Sequence, residues 1–162
     1  MRILAAVAAA FLVLCSPVMA QDEEDESNGN AGLAGLTDLQ AQQYQAAEAA
    51  YNDGDYAKAH GLLKTLLPQK VGPAWWLLGV LDYQGLGTKQ DDAKSRNDFL
   101  EAAKTGNSFY MTSLGDLYRE GTAPFTKDCD QAETWYKRAM ASGNTVAKDR
   151  LTMLKLCRTG KR

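Results

Sequence analysis

Few residues in this chain have side chains that could carry chemistry. Its 162 residues include one histidine, His60, and three cysteines, Cys15, Cys129 and Cys157. A protein zinc site takes three or four closely spaced ligands, and His60 has no cysteine or second histidine beside it. Flanked by Ala59 and Gly61 on a packed helix, it reads as structural. Asp91-Asp92 and Asp128-Cys129-Asp130 could suggest a general acid and base, but capping the helices that follow accounts for both groups. Lys104-Thr105-Gly106 spells a triplet of penicillin-recognising enzymes, yet no Ser-x-x-Lys nucleophile accompanies it. The triplet therefore reads as a helix end. Gly-x-Ser-x-Gly, His-Glu-x-x-His, P-loop and dinucleotide fingerprints are all missing from the sequence. No catalytic, cofactor-binding or metal-ligating residue is assigned, and binding is the function class that remains.

The scaffold must come from one domain, because 162 residues with 45% apolar side chains suffice for one core and not for two of ordinary size. Met1-Arg2, an apolar run from Ile3 to Cys15 and a small-residue close at Ala20 follow the order of a secretory signal. The run is too short for a bilayer, which takes roughly 20 apolar residues. Residues 1–20 are expected to be a cleaved signal and the protein to be periplasmic or secreted, with no stable membrane insertion. Residues 21–36 pack five consecutive acids beside Ser, Asn and Gly, and read as an acidic flexible leader. Residues 21–57 carry nine acids and no bases, whereas 127–162 carry nine bases against four acids. The overall charge of −2 gives no general attraction to nucleic acid.

From Thr37 the apolar spacing is helical and repeats. A shift of 36 places Leu78-Gly79 on Leu114-Gly115, Leu81 on Leu117 and Gly85 on Gly121. A shift of 37 then places Asp91, Phe99, Ala102 and Gly106-Asn107 on Asp128, Tyr136, Ala139 and Gly143-Asn144. Ala74, Leu78 and Leu81 share one helical stripe, as do Tyr110, Leu114 and Leu117. A two-helix unit cannot bury its stripe alone, so neighbours must stack. Glycine inside a helix costs about 1 kcal/mol relative to alanine, and a close helix–helix approach explains Gly79 and Gly115. Seven helices are expected, over 37–52, 55–67, 73–84, 91–105, 108–120, 128–142 and 144–158, with a basic tail at 159–162.

These residues resemble the Sel1-like repeats, a subclass of tetratricopeptide-type α-solenoids. The resemblance rests on Ala74-x3-Leu78-Gly79-x5-Gly85-x-Gly87, on Leu114-Gly115-x-Leu117-Tyr118-x2-Gly121, and on Asp128-x2-Gln131-Ala132-x2-Trp135-Tyr136-x2-Ala139-x3-Gly143-Asn144. Asp82 stands where the next unit has Tyr118, and Asp98 where it has Trp135. The fold implied is all-α: a right-handed solenoid of stacked antiparallel helix pairs. The resemblance also implies that the first helix of each pair lines a concave face, which places Trp75, Trp76, Asp82, Tyr83, Met111 and Tyr118 near a groove for another protein or peptide. The chain is then expected to be a monomeric, non-enzymatic interaction module. Alternatives are a periplasmic immunity-type protein that neutralises a secreted toxin and, from cysteine-rich members of the family, a β-lactam-binding or -hydrolysing enzyme.

Signal removal leaves Cys129 and Cys157, and Gly143 lies 14 residues from each. Two legs of about 21 Å, one ascending and one descending, bring the chain back to the same level. The two cysteines are expected to form a disulfide, the alternative being two buried free thiols.

Overall fold

The structure, a computed structural model, describes residues 32–159; the expected signal at 1–20, residues 21–31 of the leader and 160–162 of the tail lie outside the described residues. Seven α-helices and no strand occupy them: α1 (Asp38–Asn52), α2 (Tyr56–Leu66), α3 (Gly72–Gln84), α4 (Asp92–Lys104), α5 (Ser108–Glu120), α6 (Cys129–Ala141) and α7 (Val146–Thr159). A 3-10 turn, Leu67–Gln69, carries Pro68 between α2 and α3, and Pro73 stands in the first turn of α3. Proline is tolerated at both places because neither takes an amide hydrogen from a helical bond.

Local chemistry sets the helix ends. The Thr37 hydroxyl accepts the Gln40 amide while the Gln40 side chain accepts the Thr37 amide, a reciprocal cap. Asp91 accepts the amides of Ala93 and Lys94, and Asp128 those of Asp130 and Gln131. The last helix starts two residues later than its spacing suggests, since Asn144 serves as a cap and accepts the Ala147 amide.

Helices pair as α1 with α2, α3 with α4 and α5 with α6, and α7 packs on α6 and α5. The core has two parts. Ala47, Ala59, Leu63, Leu66, Leu78 and Leu81 fill the first, whereas Phe99, Tyr110, Leu114, Trp135, Tyr136 and Leu154 fill the second. A Cβ on Gly79 would lie 3.0 Å from the Phe99 ring, and one on Gly115 would lie 2.5 Å from the Tyr136 ring. The two helical glycines thus let the same aromatic of each second helix approach the backbone, which offsets their propensity cost.

The C-terminal end is closed by α7. Ala147 and Leu154 are buried on the second core, and Cys157 is joined to Cys129 across a Cα–Cα distance of 6.1 Å. Polar groups add to the seam: the Tyr136 hydroxyl donates to Asp116 at 2.8 Å, and Arg119 and Arg150 both reach the same carboxylate.

Candidate functional site

Helix α3 is packed on two sides, and this decides where the expected groove residues lie. Ala74, Leu78 and Leu81 belong to the first core, while Trp75, Trp76 and Val80 pack against the second. Trp76 meets the Phe99 ring edge-on at 4.7 Å and the Tyr110 ring at 5.3 Å. Met111 lies within the second core, and Tyr118 packs edge-on against Phe125 at 4.8 Å. Trp75 is only partly covered and lines a cavity of about 360 Å³ together with Leu67, Pro68, Lys70, Glu101, Lys104 and Thr105. Tyr83 is half-buried near the other end of α3.

Among the expected groove residues, Asp82 and Met111 are the buried ones. Asp82 is 1% exposed and Met111 9%, because α3 and α5 bury a flank that a helix with a single apolar stripe would leave open. The six residues do not converge on one cavity. Trp75 opens at the start of α3, whereas Asp82 lines a second, polar cavity of about 520 Å³ with Thr88, Lys89, Gln90, Asp91, Asp92 and Lys94.

Behind that cavity is a buried cluster that sequence reasoning missed. Lys94 Nζ lies 2.6 Å from Asp82 Oδ2, and His60 Nε2 lies 3.4 Å from Asp82 Oδ1. Lys94 and Asp82 form an ion pair, and the same carboxylate also faces the His60 ring and the Asp98 carboxyl. Asp98, 3% exposed, sits against Asp82, and its Oδ2 lacks a partner unless the two carboxyl groups share a proton. One group thus comes from α2, one from α3 and two from α4. The signal in the sequence was the two acids themselves: Asp82 and Asp98 depart from the repeat at the positions of Tyr118 and Trp135, and in the fold they depart together.

Burial, reinforced by the Asp82 carboxylate, pushes the Asp98 carboxyl up to about 7. Burial and the Lys94 charge hold His60 below its ordinary value, against the pull of Asp82. A carboxyl raised in the folded state stabilises below its unfolded pKa of about 4 and loses that contribution as pH rises through 7. A lowered histidine acts in the opposite sense, its contribution being lost as pH falls below 6.5. From pH 6.5 to 8 the two contributions oppose, Asp98 lowering the unfolding free energy while the unfolded chain's histidine, half protonated at pH 6.5, raises it slightly. The net fall across this window is expected to be about 0.5 kcal/mol, and Asp98→Asn is expected to remove it, leaving only the small opposing rise. Denaturant melts at both pH values check this; equal slopes for the two proteins would show that Asp98 does not titrate there.

Among the described residues no group of three His, Cys, Asp or Glu side chains is placed to hold a metal ion, and no helix is long and apolar enough to cross a membrane.

No family model matches the chain, and no curated protein matches it. Solved structures do. A Sel1 repeat protein from Oxalobacter formigenes superposes with a TM-score of 0.60 at 23% identity, covering 76% of this chain and 51% of that one. A protective antigen present in uropathogenic Escherichia coli strains, which displays an SLR fold, superposes with a TM-score of 0.55 at 31% identity, covering 70% of this chain and 25% of that one. The chain thus spans about half of the first protein and a quarter of the second. With its repeats in register, its paired helices and these two neighbours, the chain carries the Sel1-like repeat fold.

Proposed function

We propose that this protein is an exported interaction module that binds a protein or peptide partner, without catalysis, on the concave face at the start of α3. The fold fits a protein-interaction module. The observation that carries the reading is Trp75: a tryptophan left partly open beside Leu67 and Pro68, in a cavity rimmed by Lys70 and Lys104. A large aromatic seated in a pocket with a charged rim is the usual anchor of an interface. Trp76 supports Trp75 from within, packed against Phe99 and Tyr110, while Asp82, Tyr83, Met111 and Tyr118 stand apart from this opening. The signal-like residues 1–20 and a disulfide in a short chain support a periplasmic setting, where oxidising conditions keep the bridge closed.

Capture from a periplasmic extract, run in parallel with wild type and Trp75→Ala, tests this. The variant is expected to bind its partner about 1 to 3 kcal/mol more weakly, while keeping a native helix content and a cooperative, somewhat lower melting transition. Equal capture of one partner by both proteins would place the site elsewhere.

A further inference from the structure

Residues 32–36 read Gly-Leu-Ala-Gly-Leu and form a turn in which the Leu36 amide donates to the Leu33 carbonyl at 3.2 Å. This turn lies across the starts of α3 and α5. One residue is gripped by partners more than 70 positions away: the Gly32 carbonyl accepts from Asn107 Nδ2 at 3.2 Å and from the Tyr110 hydroxyl at 3.3 Å. A Cβ on Gly32 would stand 2.6 Å from that hydroxyl oxygen, so a side chain there would have to displace the Tyr110 hydroxyl that holds the carbonyl. Beyond Gly32 the fit is loose. A cleft of about 240 Å³ is bounded by Ala34, Gly35 and Leu36 on one side and by Lys70, Thr105 and Gly106 on the other. Lys70 and Thr105 also wall the Trp75 cavity, so the two spaces adjoin along one edge of the solenoid.

We infer that the space between the starts of α3 and α5 is a docking site for a small-residue turn, occupied in cis by the chain's own Gly32–Leu36, and that a partner spreading from Trp75 must displace this turn. The identity of the competitor rests on the Trp75 reading; the occupied seat rests on Gly32, Asn107 and Tyr110 alone. The chemistry of the seat defines what can replace the turn: a glycine carbonyl aimed at one amide and one phenol donor, carried on a segment without bulk at that point. A resident segment lowers the apparent affinity of a competitor by the fraction of molecules in which the seat is free, and its tether keeps its local concentration high. The loose packing beyond Gly32 favours exchange.

The test uses the full chain and a labelled peptide of its own residues 28–37, followed by fluorescence anisotropy. Gly32→Val, whose own turn cannot seat, is expected to bind the peptide about tenfold or more tightly than wild type, the gain expected when the resident turn fills about nine seats in ten. Adding Asn107→Asp, which keeps the helix-capping oxygen but removes the Nδ2 donor, is expected to abolish the gain. Gly32→Ala repeats the comparison with one methyl group should the valine variant melt early. Equal peptide binding by wild type and both glycine variants would overturn the inference. It would leave the Trp75 reading intact, because that reading is judged with the captured partner and not with this peptide.

Discussion

Reducing the Cys129–Cys157 bridge, or replacing Cys157 with Ser, is expected to lower the unfolding free energy by about 3 to 4 kcal/mol. The bridge closes a loop of sequence separation 28, and in the loop-entropy account that separation sets the constraint on the unfolded chain. For a domain of this size the melting temperature should fall by about 10 to 15 °C. The loss is expected to be uneven. α7 is the last helix and packs on α6 and α5, chiefly through Ala147, Leu151 and Leu154, so losing the bridge leaves it held by that one face. Hydrogen exchange should show α7 amides losing protection before those of α3 and α4. Thiol titration of denatured, unreduced protein is the preliminary check. Two free thiols per chain, or a melting temperature indifferent to reductant, would refute the stabilising role.

Features written in local signals were legible before the structure. Asp91 and Asp128 cap α4 and α6 as their spacing suggested, Gly85 and Gly121 end α3 and α5 in the left-handed region, and Gly143 turns the chain so that the two cysteines meet. Each depends on a few consecutive residues or on the arithmetic of two equal helices. The candidate site was harder to read because its geometry depends on how many sides of α3 are covered. A stripe of Ala74, Leu78 and Leu81 shows one buried face; it does not show that Trp76 and Val80 meet a second core on the other side. The docking of Gly32 was hidden for a related reason. Composition groups it with the acidic residues before it, while its partners, Asn107 and Tyr110, lie 75 and 78 residues away. The buried carboxyl pair left a clearer trace, as two acids at aligned positions where the following repeat has aromatics.

That pair sets the second large effect: Lys94→Met is expected to destabilise the fold by about 2 to 3 kcal/mol at pH 7. Removing one partner of a buried ion pair leaves the other uncompensated, at a typical cost of about 3 to 5 kcal/mol. Asp82 meets that condition, being 1% exposed with the Lys94 ammonium 2.6 Å from its Oδ2. The Lys94 side chain is 42% exposed, so water already screens part of the attraction and the expected loss falls at or below the lower end of that range. In the variant burial still opposes protonation of His60 beside Asp82 but the Lys94 charge no longer does, so His60 compensates in part and holds the loss to the lower figure. The loss should therefore come from the unpaired charge and not from lost packing. Two further variants separate these causes. Asp82→Asn on the Lys94→Met background should restore most of the stability by removing the charge, whereas Lys94→Arg should retain most of it by keeping the pairing. A Lys94→Met protein within about 0.5 kcal/mol of wild type, the ordinary range for a surface substitution, would mean that Asp82 and Asp98 hold a proton between them and need no external cation. In that event the Asp98→Asn variant, and not the lysine variant, would show the larger change in stability at pH 8.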